Sequence, residues 1–352
     1  MTALRPGAAT PGAATPGAGT PGAATLSAPT PRAGTLSAAT LPARTLRLGT
    51  RGSALALAQS GQVARQLTAA LAAPVELVPI RTQGDSDPRA LVSIGGTGVF
   101  VTALRSALLA GEVDLVVHSL KDLPTAPAAG LVLAAVPARE DPADVLVAAA
   151  GLAELPAGAR VGTGAPRRAA QLAALRPDLE IVPVRGNVDT RIAAVRAGRM
   201  HGVVLARAGL ARLGRLSDVA HTFTAGQMLP APGQGALAVE CRADEPELAA
   251  ALAGALDDAA SRAAVRAERA LLAALEAGCS APVGALAEVA GDTLVLQAVV
   301  GGGLRQTARA PYDWGAGGEQ SAAALGRTLA EQLIAAGAMD VLGTTTEKVM
   351  GQ

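Results

Sequence analysis

Short apolar segments alternate with helix-forming segments from residue 46 to residue 206, and this alternation restricts the fold more than any other feature of the chain. Apolar runs bounded by polar or turn residues are typical of strands that are buried on both faces of a parallel sheet. The predicted strands are residues 46–49, 75–80, 114–118, 131–136, 159–162, 181–184 and 202–206. The predicted helices are residues 54–71, 99–110, 167–175 and 188–197. The pattern indicates βαβ units, so the predicted fold class is α/β.

Residues 1–44 have a different character. They form a degenerate five-residue repeat of Ala, Thr, Pro and Gly that contains no acidic residue. Such a tract buries too little apolar surface to offset its ordering entropy, so we expect a disordered tail. A transit peptide would also lack acidic residues, but the few arginines here line no amphipathic face. The remaining 308 residues of the 352-residue chain indicate two or three domains, on a loose expectation of about 150 residues per domain.

Composition narrows the function classes. The two cysteines, Cys241 in an apolar strand-like run and Cys279 in a predicted loop, indicate no disulfide framework, so a reducing, cytoplasmic location is expected. No apolar run reaches the roughly 18–20 residues of a membrane span. The three histidines lie at no metal-ligand spacing, so no metal is expected. A net charge of +1 and only two Phe, one Tyr and one Trp argue against a nucleic-acid partner.

Cys279 follows a predicted helix over residues 259–277, a segment without proline or glycine. Gly278 suits the left-handed conformation that commonly follows a helix, so Cys279 is expected on an exposed turn. A thiol in that position can hold a group covalently. The alternative is structural, because free cysteine is usually a small buried hydrophobe.

Polar residues follow several of the predicted strands. In α/β sheets, ligands bind beyond the carboxyl ends of the strands, so these positions are candidate ligand contacts. The first strand leads to Arg51 and to Ser53, which can cap the next helix. The other candidates are Lys121, Asp122, Arg167, Arg168, Arg185 and, one helical turn further, Arg191. Since guanidinium groups recognise carboxylates and phosphates bidentately, the sequence predicts a polyanion pocket, although each arginine alone could be a solvated surface residue.

Six motifs carry a resemblance to one family. They are TRGSALA at residues 50–56, VHSLKDLP at 117–124, REDP at 139–142, RGNVDTR at 185–191, APGQGA at 231–236 and GCSAPVG at 278–284. In this order and spacing they resemble porphobilinogen deaminases, also called hydroxymethylbilane synthases, over about residues 46–337. The resemblance implies a transferase of porphyrin and haem biosynthesis with porphobilinogen as its small-molecule substrate.

The resemblance also implies an architecture. Two α/β domains resembling periplasmic binding proteins would be followed by a smaller α/β C-terminal domain, and a disordered N-terminal tail would precede them. Mapped onto this chain, the first domain takes residues 45–138 with a return over 236–254, the second takes 143–230 and the third takes 259–352. The active cleft would lie between them, in a cytoplasmic monomer without nucleic-acid or membrane partners.

Members of the family hold a dipyrromethane cofactor, made of two linked porphobilinogen units, through a thioether to the cysteine that matches Cys279. Four substrate molecules are added head to tail, and the linear tetrapyrrole is released by hydrolysis. The carboxylate that matches Asp122 stabilises positive charge and can shuttle protons. Because every pyrrole bears an acetate and a propionate, the other contacts are cationic or polar. The matching positions are Ser53, Lys121, Arg51, Arg167, Arg168, Arg185 and Arg191.

Three departures from the family pattern leave alternatives open. Residues 91–98 contain no lysine, whereas the mobile loop of the family usually does. Gly164, Ala165 and Pro166 stand where serines usually precede the paired arginines, and Ala103 replaces an acidic residue. A divergent, non-catalytic paralogue that binds oligocarboxylate pyrroles therefore stays open, as does a nucleic-acid-binding protein that uses the same arginines on phosphates.

Overall fold

The structure, a computed structural model, describes residues 44–80, 98–278, 281–315 and 317–343, with side chains omitted for residues 98–100. Its strands are β1 (Leu46–Thr50), β2 (Val75–Pro79), β3 (Leu115–Ser119), β4 (Leu131–Ala135), β5 (Asp144–Ala148), β6 (Arg160–Gly162), β7 (Glu180–Val182), β8 (Gly202–Ala206), β9 (His221–Thr222), β10 (Leu237–Arg242), β11 (Val283–Ala290), β12 (Thr293–Val300) and β13 (Leu304–Pro311). Its helices are α1 (Ala54–Leu71), α2 (Gly98–Leu109), α3 (Pro166–Leu175), α4 (Val188–Arg196), α5 (Arg207–Arg212), α6 (Pro246–Leu256), α7 (Ala259–Ala274) and α8 (Gly318–Ala335).

Two five-stranded sheets share one topology. The first has the order β2-β1-β3-β10-β4 and the second has the order β7-β6-β8-β5-β9. In each sheet three parallel strands are followed by one antiparallel strand and then by an outer strand. The antiparallel strand always arrives from the other sheet, since β5 follows β4 directly and β10 follows β9. The chain therefore crosses twice between the sheets, through residues 136–143 and 223–236.

Local sequence explains where several helices begin. The Ser53 hydroxyl accepts a hydrogen bond from the Ala56 amide at 3.3 Å and caps α1, as the sequence predicts. The Asn187 side chain caps α4 by accepting from the Thr190 amide at 2.8 Å. Pro166 occupies the first turn of α3, where its missing N–H costs no hydrogen bond. These residues fix where each helix begins, a few residues after the strand that precedes it.

The third sheet is antiparallel, in the order β11-β12-β13, and α7 and α8 cover one of its faces. Alanine and leucine side chains fill this core, which explains how a chain with so few aromatic residues packs it. Exposure alternates along β13, because one side of that strand faces the helices and the other does not.

The α/β class, with two similar α/β units and a smaller third one, is confirmed. The predicted strands and the helices over residues 54–71, 99–110, 167–175 and 188–197 end within two residues of their predicted limits. Strands β5, β9, β11, β12 and β13 were not predicted, and β10 was anticipated only as the strand-like run around Cys241. The expected disorder of residues 1–44 falls outside the described residues, which begin at Arg44. Among the helices of the described ranges, none combines the length and apolar character that a bilayer crossing requires.

Candidate active site

The turn after β3 presents a cation and an anion side by side. Residues 120–122 form one 3-10 turn, anchored by the buried Leu120, whose amide donates to the Ala236 carbonyl at 3.0 Å. The Lys121 ammonium donates to Gln234 Oε1 at 3.4 Å. Burial lowers the pKa of Lys121 to about 8, although the neighbouring Asp122 charge opposes this shift. Asp122 itself is partly exposed and has no hydrogen-bond partner in the described part of the chain.

Arg51 and Ser53 lie at the same sheet edge as this turn. They follow β1, which is parallel to and paired with β3, so the two strands end side by side. The Gln59 amide nitrogen of α1 donates to the Ser119 hydroxyl at 2.9 Å and ties the helix to the end of β3. The structure thus brings Arg51, Ser53, Lys121 and Asp122 to one edge of the first sheet.

The paired arginines Arg167 and Arg168 are buried, with relative exposures of 4% and 6%. Both bond to Asp144, the first residue of β5, which is fully buried. Arg167 Nη1 lies 2.6 Å from Asp144 Oδ2, and Arg168 Nε lies 3.0 Å from Oδ1. They also donate to backbone carbonyls, Arg167 to Leu229 and Arg168 to Val204. Asp144 therefore compensates part of the positive charge that was expected to face a ligand.

Asp144 is ionised in this cluster. Burial on its own would raise the pKa of Asp144, but the charges of Arg167 and Arg168 outweigh burial and hold the pKa far below its usual value. Two guanidinium groups and one carboxylate leave one net positive charge in a buried place. The cluster is thus a fixed source of positive potential at the start of α3.

The segment before the paired arginines is closely packed. A Cβ atom on Gly164 would lie 2.7 Å from the Val184 carbonyl oxygen, so a serine there would require the backbone to shift. Thr163 supplies a hydroxyl instead, which accepts from the Ala165 amide at 3.2 Å. The departure from the family pattern at this segment fits the local packing. The lysine-free residues 91–97 and the family's loop fall outside the described residues.

Arg185 and Arg191 flank the start of α4. Arg185 is exposed, whereas Arg191 is half-buried and its buried Nε has no hydrogen-bond partner among the described residues. Burial lowers the pKa of Arg191, and the charge of Arg168 adds to this effect. The charge of Arg168 also lowers the pKa of Lys121, so Arg191 and Lys121 both lie near Arg168.

Arg212 is a further cation of this region that the sequence analysis missed. Its Nη2 donates to the Gly235 carbonyl at 2.7 Å, while its buried Nε has no hydrogen-bond partner within the described ranges. Burial lowers the pKa of Arg212, and the Glu140 charge opposes the shift. Arg212 is the last residue of α5, so it does not lie directly after a strand, where candidate ligand contacts were expected. Residues five apart on a helix lie on different faces, so the position of Arg207 gives no signal for Arg212.

Cys279 and Ser280 lie outside the described residues, but the residues on both sides are described. The predicted helix over 259–277 is wrong at its end: α7 stops at Ala274. The left-handed residue is Glu276, with φ of 50°, rather than the predicted Gly278. The helix therefore ends one turn before the glycine. The Ala281 amide donates to the Gly278 carbonyl at 3.0 Å, which brings the flanks of Cys279 together.

Glu268 of α7 ties the third unit to both crossover segments. Its fully buried carboxylate accepts from Arg139 Nη1 at 2.7 Å, from the Gly233 amide at 2.6 Å and from the Ala287 amide at 2.8 Å. Arg139 belongs to the first crossover and Gly233 to the second. Helix α7, which leads towards Cys279, is thus attached where the two large sheets are joined.

Comparison with known proteins identifies the family. The model described as "Porphobilinogen deaminase, dipyromethane cofactor binding domain" matches residues 46–250, and the model of the C-terminal domain matches residues 262–335. The chain belongs to the porphobilinogen deaminase family. It is 56% identical over 311 residues to porphobilinogen deaminase 1 of Streptomyces coelicolor, covering 83% of this chain and 96% of that protein. It is 55% identical over 300 residues to porphobilinogen deaminase of Thermobifida fusca, covering 83% and 94%.

Solved structures of periplasmic binding domains show a weaker similarity to the chain. The periplasmic VFT2 domain of Bordetella pertussis BvgS matches with a TM-score of 0.37 at 15% identity, covering 60% of this chain and 86% of that domain. The methionine-binding protein MetQ matches with a TM-score of 0.38 at 12% identity, covering 59% and 89%.

The described residues of this porphobilinogen deaminase family member fit a group that carries several carboxylates. A buried guanidinium nitrogen without a partner is rare, and Arg191 and Arg212 each have one within the described ranges. Lys121 adds a partly desolvated ammonium near Arg168. Ligand carboxylates that accept charge-assisted hydrogen bonds would satisfy these donors, which suits a dipyrromethane with acetate and propionate side chains.

Proposed function

We propose that the protein deaminates porphobilinogen and joins four molecules head to tail on a covalent dipyrromethane primer, releasing hydroxymethylbilane for porphyrin biosynthesis. The observation that carries this proposal is a set of cations: Lys121 beside Asp122, and Arg191 and Arg212, whose buried Nε atoms have no hydrogen-bond partner among the described residues. A product that gains one acetate and one propionate with each added unit requires such a surface. Cytoplasmic location and a monomeric state remain predictions from the sequence.

Carboxylate recognition is the role that we assign to most of the site. Arg51, Arg185 and Arg191 would bind acetate and propionate groups, with Ser53 and Lys121 as further contacts. Arg212 joins this set because its Nε has no acceptor among the described residues. Each charge-assisted hydrogen bond of this kind contributes about 1.5–3 kcal/mol.

Several N–H groups of Arg167 and Arg168 are not available to a ligand. Both already bond to Asp144 and to backbone carbonyls. We therefore assign them to the wall of the pocket, where their net charge with Asp144 favours bound anions and where any donor left over reaches the cofactor carboxylates. Their rigid pairing reduces the entropy lost when a ligand is bound.

Asp122 is assigned the catalytic role. Loss of ammonia from the aminomethyl carbon of porphobilinogen leaves an electrophilic azafulvene whose pyrrole nitrogen carries positive charge. An unpartnered carboxylate beside that nitrogen stabilises the charge and can accept the proton that the ring loses after the new carbon–carbon bond forms. Lys121, with a pKa of about 8, is mostly protonated at neutral pH and places a positive charge beside Asp122.

Cys279 is assigned as the attachment point. When bound, the dipyrromethane supplies the free α-carbon at which the chain is extended. The protein contributes the thiol, on a segment that α7 leads into and whose flanks are tied together by the Gly278 and Ala281 backbone. Cys241 is a poor candidate, because it is fully buried in the first sheet and burial raises its pKa to about 11.

Intact mass tests the proposal. Protein purified from a host that makes porphobilinogen is expected to exceed its sequence mass by two pyrrole units, with the excess on the peptide that contains Cys279. The Cys279→Ser variant is expected to lose the excess and all activity, while the matched Cys241→Ala variant keeps both. A wild-type protein that is unmodified and inactive refutes the enzymatic function and leaves an oligocarboxylate binder. Ligand-free protein that binds DNA in a salt-dependent way points to nucleic acid instead.

A further inference from the structure

Gln234 lies where the second crossover meets both large sheets. It is 1% exposed and stands between Gly233, with φ of +74°, and Gly235, with φ of +87°. A side chain on Gly233 would collide with Leu120, and one on Gly235 would collide with the Glu140 carbonyl. The two glycines therefore let the backbone of Gln234 approach the turn after β3 and the first crossover at the same time.

The Gln234 amide connects groups that belong to different sheets. Its Nε2 donates to the Pro142 carbonyl at 2.7 Å and to Asp144 Oδ1 at 2.8 Å. Its Oε1 accepts from Lys121 Nζ at 3.4 Å. The backbone carbonyl of Gln234 is also held, by Arg139 Nε at 2.8 Å. A carboxylate can only accept and an ammonium can only donate, so these partners fix the orientation of the amide.

The result is one continuous chain of polar contacts. It runs from Lys121, next to Asp122, through Gln234 to Asp144, and from there to Arg167 and Arg168. The carboxamide donates to a carboxylate and accepts from an ammonium at the same time, and it does so without titrating. Glutamate would place two negative charges in contact, and methionine would fill the space with neither function.

We propose that Gln234 is a positioning residue for the reaction: its amide holds the Lys121 ammonium, and with it the Asp122 turn, in a fixed relation to the Asp144–Arg167–Arg168 cluster across the crossover. The role in the reaction rests on the proposed function. The contact itself does not, so it can be tested on the protein whether or not the enzymatic activity is present.

A purely structural glutamine would stabilise the fold without affecting the ionisation of Lys121. The charged groups that face Lys121 are Asp122 on its own turn, Asp144 on β5, and Arg167 and Arg168 on α3. Gln234 is the described side chain that accepts a hydrogen bond from the ammonium. Removing that acceptor disfavours the charged lysine, whereas replacing it with a carboxylate favours it. A positioning role therefore predicts opposite shifts for two substitutions at one site.

Lysine NMR gives a direct readout, because the chain contains only Lys121 and Lys348. Protein labelled with ¹³C at the lysine Cε is titrated with pH, and a Lys348→Arg variant assigns the Lys121 signal. In Gln234→Met the midpoint of Lys121 is expected to fall by about 0.5–1 pH unit, and in Gln234→Glu it is expected to rise by about 1 unit. The pH dependence of KM for porphobilinogen is expected to move in the same directions.

Gln171→Met is the matched control. Gln171 is also a buried glutamine, and it bonds to the backbone carbonyl of Arg167, to the backbone of Leu229 and to Arg305, but not to Lys121. It is expected to lower the unfolding midpoint without moving the Lys121 titration. Should Gln234→Met not fold, Gln234→Asn replaces it, since the shorter amide loses the 3.4 Å contact to Lys121 before the two shorter ones.

Two results overturn the proposal. One is a Lys121 titration that is the same in wild type and in the folded Gln234 variants. The other is a shift of equal sign in the methionine and glutamate variants, which indicates a general loosening of the site. If the wild-type protein is unmodified and inactive but the variants show the expected NMR shifts, the proposed function is refuted and the Gln234–Lys121 contact is supported.

Discussion

Asp144 is the residue whose replacement the structure predicts to be most damaging to the fold. Its carboxylate is fully buried and bonds to Arg167, Arg168 and the Gln234 amide. Asp144→Asn keeps the size and one acceptor oxygen but removes the negative charge. Two guanidinium groups, at 4% and 6% exposure, are then left buried without a counter-ion.

Breaking a buried ion pair by removing one partner costs about 3–5 kcal/mol. Because asparagine retains part of the hydrogen bonding, we expect a loss near the lower limit, about 3 kcal/mol. Total stability is typically about 5–15 kcal/mol, so this loss is a large fraction of it. Urea unfolding followed by circular dichroism measures the effect. Asp178→Asn is the control, since that aspartate pairs with Arg176 at the surface, and its unfolding curve is expected to stay close to that of wild type.

The same residue makes acid stability predictable. The folded-state pKa of Asp144 is lowered, so its contribution is complete above the unfolded-state pKa of about 3.9. As the pH falls below about 4, the unfolded chain binds a proton that the folded protein does not, and stability decreases. Asp144→Asn lacks this component, so its stability is expected to vary less with pH in that range. A variant within about 1 kcal/mol of wild type, or one with unchanged acid dependence, contradicts the assigned role of the ion pair.

Three other substitutions test catalysis, ligand binding and the attachment of α7 to the crossover segments. Asp122→Asn is expected to lower turnover about 10²–10³-fold with a near-wild-type melting temperature, since the charge is partly exposed and has no hydrogen-bond partner among the described residues; a variant that retains a tenth of the rate contradicts the catalytic role. Arg191→Met is expected to raise KM about tenfold or more without loss of stability, because a buried unpartnered donor is removed. Glu268→Gln is expected to cost about 3 kcal/mol in urea unfolding by disrupting the contact with Arg139, and an unchanged midpoint is the contrary result.

Local features of the sequence were sufficient for much of the fold and for part of the site. Ser53 caps α1 as its residue type predicts, and β3 leads directly into the Lys121–Asp122 turn. In both cases the determining contacts lie within a few residues. The family motifs add the expected roles of the site residues, and those of Cys279 and Asp122 stay predictions until tested.

Non-local contacts explain what was missed. Asp144 pairs with Arg167 and Arg168 from a strand more than 20 residues earlier, so the burial of the two arginines has no local signal. The end of α7 is a second case. Residues 275–277 have good helix propensity, but tertiary structure ends the helix at Ala274 and gives Glu276 a left-handed conformation.

The exchange of strands between the two large sheets has a consequence for synthesis on the ribosome. Strand β10 lies between β3 and β4 in the sheet, so neither β3 nor β4 can pair with it until residue 242 has left the exit tunnel. Until then the first sheet exposes unpaired backbone on β3 and β4, which invites association between nascent chains. The second sheet needs only residues 144–222 and can form earlier. Chains truncated shortly before residue 237 are therefore expected to require chaperone protection that chains extending past residue 242 do not.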